Sequence, residues 1–486
     1  MNFSVIKRTV GWILLFEAIF FLVPMITAVC YWEWQFFSFL MCAFLCGVLG
    51  GLCLIGKPKD RSMYAKEGFV IVALSWIVIS IFGALPFIFS GAIPSFVDAL
   101  FETVSGFTTT GSTILTGEQI DTMAKSLLIW RSFTHWVGGM GVLVLLIAFL
   151  PLSGARNLHL MQAESTGANV SKLAPKMRQT AVILYAIYFG MTLLQFILLV
   201  CGGMPVFDAL NATFATAGTG GFFVKSSGFL EYSSYLQIVT TVFMLLFSIN
   251  FASYYLVLRG KWKDAFNAEV RVFIAIVLIA IGAITFDLCI TQGFVGGMFT
   301  SVGDALKHVA FSVASIISTT GFATVDFNQW TSFSKILLVL LMFVGTCAGS
   351  TGGGIKVSRH IVLFKGASHE VRRMLHPKQI KKITMDGKVV EHEVVRSINA
   401  YLVSFIIIFC LSLLVISFDG KSFETNITSV AATINNIGPG LGDVGPMGNF
   451  ADFSWWSKLV FVFDMLVGRL EVFPMLILFA PTTWKK

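Results

Sequence analysis

Charged side chains are scarce: Asp, Glu, Lys and Arg make up 12% of the 486 residues, while 56% are hydrophobic. Soluble domains carry about 25% charged residues, so the deficit excludes a soluble globule and places the chain in a bilayer. The eight cysteines (Cys30, Cys42, Cys46, Cys53, Cys201, Cys289, Cys347, Cys410) include no Cys-x-x-Cys pair. Neither a disulfide framework nor a zinc site is indicated, and they read as small buried hydrophobes. Seven scattered histidines show no metal-ligand spacing and no nucleophile–base arrangement, which gives an enzyme no support. No cleavable leader is expected either. The first apolar stretch, Val10 to Trp32, is longer than the roughly 7–15 residues of a signal-peptide core and lacks a small-residue cleavage site. The formal net charge of +8 could point to nucleic acid, but the cations sit in the connections between apolar stretches. No nucleic-acid partner is therefore expected.

A membrane span takes about 20 mainly apolar residues. Ten candidates occur, over about 9–31, 36–56, 68–91, 126–151, 180–202, 235–258, 272–292, 333–363, 398–418 and 456–480. The positive-inside rule tests their orientation. With the N-terminus inside, Lys7, Arg8, Lys57, Lys59, Arg61, Lys66, Arg156, Lys172, Lys176, Arg178, Arg259, Lys261, Lys263, Arg271 and the Lys365–Lys388 cluster all fall on one side, as do Lys485 and Lys486. The opposite side holds only Lys125, Lys225, Lys307 and Lys421, against Asp98, Glu102, Glu118, Asp121, Asp208, Glu231, Asp304 and further acids. Both termini are expected in the cytoplasm, and the acidic face would concentrate cations at an outer mouth. Trp32, Trp34, Trp330, Trp455, Trp456 and Trp484 lie near span ends and read as interfacial anchors.

Four short polar segments end in glycine and interrupt this background: Thr108–Gly111, Gly218–Gly221, Ser318–Gly321 and Asn435–Gly438. The glycines at 111, 221, 321 and 438 are 110, 100 and 117 residues apart, a near-constant period that signals an internal repeat. Each segment follows an apolar stretch too short to cross: 96–107, 207–217, 305–317 and 423–434. Three of these open with Asp-Ala-Leu, and Asp98, Asp208 and Asp304 are placed to cap a re-entrant helix whose C-terminal end would favour a cation. Irregular backbone at membrane depth is tolerated only where it lines a water-filled path or is buried in protein. Thr/Gly clusters can also be ordinary loops or close-packing sites, but four of them at one spacing on one side imply a ring of backbone carbonyls that selects a cation. The expected fold is all-α: two N-terminal helices, then four helix–pore-loop–helix repeats around a pseudo-fourfold pore. The expected units are residues 1–60, 61–155, 156–262, 263–366, a basic cytoplasmic loop at 367–393, and 394–486.

The loops read Thr-Thr-Thr-Gly at 108–111, Thr-Gly-Gly-Phe at 219–222, Thr-Thr-Gly-Phe at 319–322 and Asn-Asn-Ile-Gly-Pro-Gly-Leu-Gly at 435–442, and Cys-Ala-Gly-Ser-Thr-Gly-Gly-Gly-Ile-Lys stands at 347–356. Trp-Val-Gly-Gly-Met-Gly at 136–141 and Gly-Arg-Leu-Glu-Val-Phe at 468–473 add to them. These motifs resemble those of the Trk/Ktr/HKT superfamily of potassium transporters, most closely its TrkH branch. The resemblance implies K⁺ uptake across a bacterial inner membrane. It implies K⁺ coordination by Thr109, Thr110 and Gly111, by Thr219, Gly220 and Gly221, by Thr319, Thr320 and Gly321, and by Asn436, Ile437 and Gly438. Sodium-conducting members typically carry serine in place of the first glycine; Gly111 favours K⁺. The fourth loop departs from the threonine pattern, so strict fourfold symmetry is not expected.

Gly345, Gly349, Gly352, Gly353 and Gly354 place five glycines in ten residues inside the eighth span. Such a run makes a poor helix, at about 1 kcal/mol per glycine relative to alanine. The resemblance implies an intramembrane gating loop here, with Ser350 and Thr351 in it; a helix-packing site or a phosphate loop are the alternatives, the latter lacking its Gly-Lys-Ser/Thr ending. Arg469 lies about 13 residues into the last span and is expected either to face the pore as a positive barrier, as the resemblance implies, or to pair with Glu471 or Asp464. His135 reads as packing or an interhelical hydrogen bond. The basic 366–393 stretch could bind membrane lipid, or, as the resemblance implies, a cytosolic TrkA-type nucleotide-binding subunit. It also implies a homodimer. A secondary solute transporter with broken helices and a midplane site is the competing class, but such folds show inverted twofold repeats.

Overall fold

A computed structural model describes residues 1–55, 65–141, 177–291, 299–376 and 382–484. The second half of the 126–151 span and the cations at 57, 59, 61, 156, 172, 176, 378, 381, 485 and 486 lie outside the described residues. Among the described residues the regular structure is helical apart from a two-stranded hairpin, Thr384–Met385 with Lys388–Val389. An N-terminal hairpin pairs Phe3–Cys30, which bends at Phe21, with Phe36–Leu54. Gly11 and Gly50 meet across it, each so close to the other's carbonyl that a Cβ would be crowded. Small residues let membrane helices approach in this way.

Four repeats follow, each an outer helix, a pore helix, a loop and an inner helix. The outer helices are Ala65–Phe89, Met177–Cys201, Ala268–Thr291 and His392–Ile416. Each is 24 or 25 residues long, about 36 Å of helix and enough to cross the hydrocarbon. The pore helices are Phe96–Phe107, Val206–Gly218, Val302–Ile317 and Phe423–Ile434. Their starts are capped by serine rather than by the aspartates expected from sequence. Ser95, Ser301 and Ser422 accept from the backbone N–H three residues on, and Pro205 precedes the second helix. The aspartates sit one turn in, where they favour the positive helix start and find side-chain partners. Asp98 pairs with Lys458 at 2.7 Å, Asp208 accepts from Tyr232 Oη at 2.7 Å, and Asp304 pairs with Lys307 at 3.2 Å.

The inner helices differ from ten simple spans. Lys125–Gly139, Ser234–Phe247, Ser332–Val344 and Trp455–Arg469 each stop after 13–15 residues. The second resumes as Phe251–Leu258 after a 94° bend, and the fourth resumes as Phe473–Phe479. The third resumes as Val357–Leu375, so the stretch expected as cytoplasmic loop is helix up to residue 375. Among the described residues six helices are long and apolar enough to cross, or seven with the bent pair. Two smaller expectations also change. Trp330 is buried against Phe327 rather than interfacial, whereas Trp32, Trp34, Trp455, Trp456 and Trp484 are exposed. Of the cysteines, Cys42, Cys46 and Cys347 are buried, while Cys30, Cys201 and Cys410 lie on the apolar surface.

Candidate functional site: a ring of four loops over a glycine-rich loop

Each pore helix ends in the same local motif. The residue after its last turn adopts left-handed backbone: Thr109 (φ 56), Thr219 (φ 56), Thr319 (φ 59) and Asn436 (φ 56). Its N–H bonds back three residues, and the next N–H bonds back five. Thr110 N donates to Ser105 O, Gly220 N to Ala215 O, Thr320 N to Ser315 O and Ile437 N to Ala432 O, all at 2.9 Å. This is the Schellman closure, which satisfies carbonyls left open at a helix end. Glycine usually occupies the left-handed position. A β-branched threonine there is a genuine outlier costing on the order of 1–3 kcal/mol, held in place only by its surroundings. Asparagine tolerates the same backbone far better, which accounts for the fourth loop departing from threonine without changing shape.

Two residues further on stands a glycine with positive φ in every loop: Gly111, Gly221, Gly321 and Gly438. A Cβ on Gly111 would lie less than 3.0 Å from Gly220 O; one on Gly221 would meet Thr320 O, one on Gly321 Ile437 O, and one on Gly438 Thr110 O in the same way. The four loops thus touch head to tail, first to second to third to fourth and back to the first. The crowding carbonyl comes from the same position of each loop, the residue before its glycine. All twelve residues expected at the site from sequence stand in this one ring, and the three residues of each loop that precede the glycine are fully buried. A cavity of about 130 Å³ opens on its mouth side, lined by the four glycines.

The ring is fastened from outside. Ser112 Oγ donates to Gly438 O at 2.9 Å, Phe229 N to Ala323 O at 3.1 Å, and Asn328 exchanges two bonds with Gly442 at 3.0 and 3.1 Å. Asp121 takes both the backbone N–H and the hydroxyl of Ser226, joining the first loop's flank to the second's. His135 does what was expected of it: Nε2 accepts from Phe222 N at 3.2 Å, which puts the ring proton on Nδ1, donated to Gly106 O at 2.7 Å.

On the far side of the ring, residues 345–356 form a non-helical loop that touches three repeats. Gly353 N donates to Thr319 Oγ1 at 2.7 Å and Gly354 N to Asn435 O at 3.1 Å. A Cβ on Gly353 would collide with Asn435 O, so only glycine lets the loop sit this close under the ring. Cys347 N bonds Ser248 O at 3.1 Å, and Phe251 N bonds Gly349 O at 3.1 Å, where the second inner helix breaks. Ser350 Oγ closes on Thr346 and Cys347 within the loop. Arg469, buried at the end of the fourth inner helix, donates to Thr351 O at 2.7 Å, to Gly139 O at 2.8 Å and to Gly138 O at 2.5 Å. The last two are carbonyls at a helix C-terminus, where a cation is favoured. Of the two carboxylates weighed as its partners, Glu471 pairs with Arg359 and Asp464 accepts from Ser412 at 2.7 Å.

A model of the TrkH family, described as cation transport proteins, matches residues 35–486. This chain belongs to that family. It is 33% identical to the Trk system potassium uptake protein TrkH of Salmonella typhimurium over an alignment of 496 positions covering all of both chains. Against TrkG of Escherichia coli it is 33% identical, covering 99% of this chain and 98% of the relative. The crystal structure of the potassium transporter TrkH from Vibrio parahaemolyticus matches all of both chains with a TM-score of 0.88 at 32% identity. TrkH is thus a transport family rather than an enzyme family.

Three groups in this TrkH-family chain escaped the reading of the sequence. Lys356 is buried directly behind the glycine run, donating to Gly352 O and, at 3.1 Å, to Thr346 Oγ1. Glu269, buried near the start of the third outer helix, accepts from Ala348 N at 2.7 Å and Ser358 N at 3.1 Å, clamping both ends of the loop. Arg131 pairs with Glu102 at 2.7 Å in the protein interior and lies over the Phe222 ring. Glu102 in turn accepts from Thr113 and Ile114, fixing the chain as it leaves the first loop. Arg131 is a lone charge inside an apolar run, which is the signal that could have found it, whereas Glu269 and Lys356 have charged neighbours in Arg271 and Arg359 and carry no such mark.

Proposed function

We propose that this chain takes up K⁺ across a bacterial cytoplasmic membrane, with both termini inside, through the ring of four loops. The observation that carries the reading is the head-to-tail closure of the loops, in which the Thr110, Gly220, Thr320 and Ile437 carbonyls each meet the glycine of a neighbouring loop and would form one level of the ring. Carbonyl oxygens and helix C-termini supply partial negative charge that replaces a cation's hydration shell. Thr109, Gly111, Thr219, Gly221, Thr319, Gly321, Asn436 and Gly438 complete the K⁺ positions above and below that level. Four parallel repeats, each giving one loop, support this over a solute site between inverted halves. The names of the relatives, potassium uptake proteins, support the choice of ion.

The loop at 345–356, with Gly345, Gly349, Ser350, Thr351, Gly352, Gly353 and Gly354, acts as the gate, and Arg469 as the positive barrier beneath the ring. Support comes from the bonds that tie the loop to Thr319, Asn435 and Arg469. The protein works as a homodimer with a cytosolic TrkA-type nucleotide-binding subunit, whose contact is the basic face of Val357–Leu375 and the hairpin beyond it. The test is rubidium tracer uptake into K⁺-loaded liposomes containing the purified protein. Uptake blocked by external K⁺ and not by Na⁺ is the expected result. Uptake blocked equally by both ions would remove the ring as a selectivity filter.

A further inference from the structure

We propose that the groove between the second outer helix and the segment Phe251–Leu258 is a binding site for one anionic phospholipid. Its acyl chains would lie in the groove and its phosphate on Arg259. The groove holds about 630 Å³ and is lined by Ile183, Ile187, Met191, Leu194, Tyr254 and Leu258, with Gly190 in its wall and Arg259 at its edge. Gly190 is exposed, and a Cβ there would meet nothing within 4 Å, so the space beside it is open. Ile183 to Leu194 covers about 16 Å of helix, which is half of a hydrocarbon core about 30 Å thick. That is the depth of one leaflet, and so of one lipid's chains.

Charge selects the headgroup. Arg259, Lys261 and Lys263 follow the groove helix directly and are all exposed, with Asp264 the one acid among them. Among the described residues none of the three cations pairs with a carboxylate. The Arg259 guanidinium lies 5.1 Å over the Tyr255 ring, which holds it at the groove's edge, and Trp262 beside it is 60% exposed. Cations and an indole together mark the headgroup level of a membrane, and cations there attract anionic lipid over zwitterionic lipid.

The site is coupled to the loop described above. The segment that forms one groove wall begins at Phe251, whose N–H is bonded to Gly349 O, and its cap residue Asn250 packs on Gly349. Tyr254, lining the groove, donates to Leu246 O at 2.5 Å across the helix break. A lipid in the groove therefore steadies the same break that carries the loop. This regulatory part rests on the gate reading given under Proposed function; the binding part does not.

The test uses full-length protein purified in detergent and offered phosphatidylglycerol, phosphatidylcholine or soluble glycerol phosphate, with retained ligand counted by native mass spectrometry. The wild type retains phosphatidylglycerol and neither of the others. Gly190→Trp, which fills the groove, and Arg259→Gln each weaken that retention by at least about tenfold, and Arg259→Lys restores it. In liposomes the dependence of rubidium flux on phosphatidylglycerol disappears in both variants. Equal retention of both lipids by the wild type, unchanged retention in Arg259→Gln, or retention of glycerol phosphate alone overturns the proposal. So does a Gly190→Trp protein that becomes monomeric by light scattering while keeping its lipid, because the groove would then seat a second copy. A protein that selects phosphatidylglycerol without carrying rubidium leaves the site standing and removes the transport reading instead.

Discussion

The outer and inner helices of the four repeats are built from similar apolar residues, yet they behave differently. Every outer helix runs unbroken for 24 or 25 residues. Every inner helix stops after 13–15. The reason is steric. Gly138 and Gly468, near the ends of the first and fourth inner helices, sit so close to Phe107 O and Ile434 O that a Cβ would clash. Those carbonyls belong to the last residues of the first and fourth pore helices. In the third repeat Gly352 approaches Ser318 O in the same way. In the first and fourth repeats the inner helix comes within backbone contact of the pore-helix end, and glycine is what allows it; the second inner helix has no glycine and resumes behind the Asn250 cap instead. The glycines of the second and third outer helices carry no such duty, since Gly190 and Gly282 face open space, and Gly83 of the first packs on the side chains of Thr103 and Phe107 rather than on backbone. The breaks leave backbone groups unpaired in the membrane, and the 345–356 loop and Arg469 take up several of them. Ser248 O accepts from Cys347 N, while Gly138 O and Gly139 O accept from Arg469.

That contrast is open to direct attack, beginning where the largest effect is expected. Gly138→Ala or Gly468→Ala should destabilise the protein by several kcal/mol, since a backbone clash cannot be relieved by a side-chain rotation. Gly282→Ala should be neutral or stabilising by about 0.5–1 kcal/mol. Thermal unfolding of the three variants in one detergent compares them, and equal melting temperatures would sink the steric account. Gly111→Ser comes next. The added atoms meet Gly220 O at a positive φ, so K⁺/Na⁺ discrimination in tracer uptake should fall about tenfold or more, equivalent to at least ~1.4 kcal/mol. Unchanged discrimination would count against the ring as a filter.

Arg469→Ala removes hydrogen bonds from a charged donor, each worth about 1.5–3 kcal/mol. Rubidium flux should rise roughly tenfold or more, and wild-type flux would take the residue out of the barrier. Glu269→Gln weakens the clamp on Ala348 and Ser358 and should raise flux only several-fold, for a loss of about 1 kcal/mol. Its flux should not exceed that of Arg469→Ala. Smallest of all, Leu278→Ala on the exposed face of the third outer helix should change neither flux nor melting temperature beyond about 0.5 kcal/mol.

Much of the site was legible because backbone demands leave marks in composition. Three threonines and an asparagine two residues before four glycines gave the ring, and the short apolar stretches before them match the pore helices to within about three residues. The aspartates misled because an acid favours either the cap or the first turn, and only the hydroxyl three residues upstream decides between them. Hydropathy carries the eighth span through 333–363 because it does not register a break whose residues are glycine, threonine and serine in an apolar context. Trp330 lies close to a span end in the chain, but it folds inward onto Phe327, which no count along the sequence reveals.

By itself the sequence determined the membrane environment, the fourfold repeat and the residue at each loop position. Apolar run length, the scarcity of charge and the rarity of residues that tolerate left-handed backbone all act locally. The tertiary structure decided the order in which the loops touch, the partners of Arg469, Lys356 and Glu269, and the level at which the inner helices break. Those depend on carbonyls and glycines hundreds of residues apart reaching van der Waals contact. Only the packed fold sets such distances.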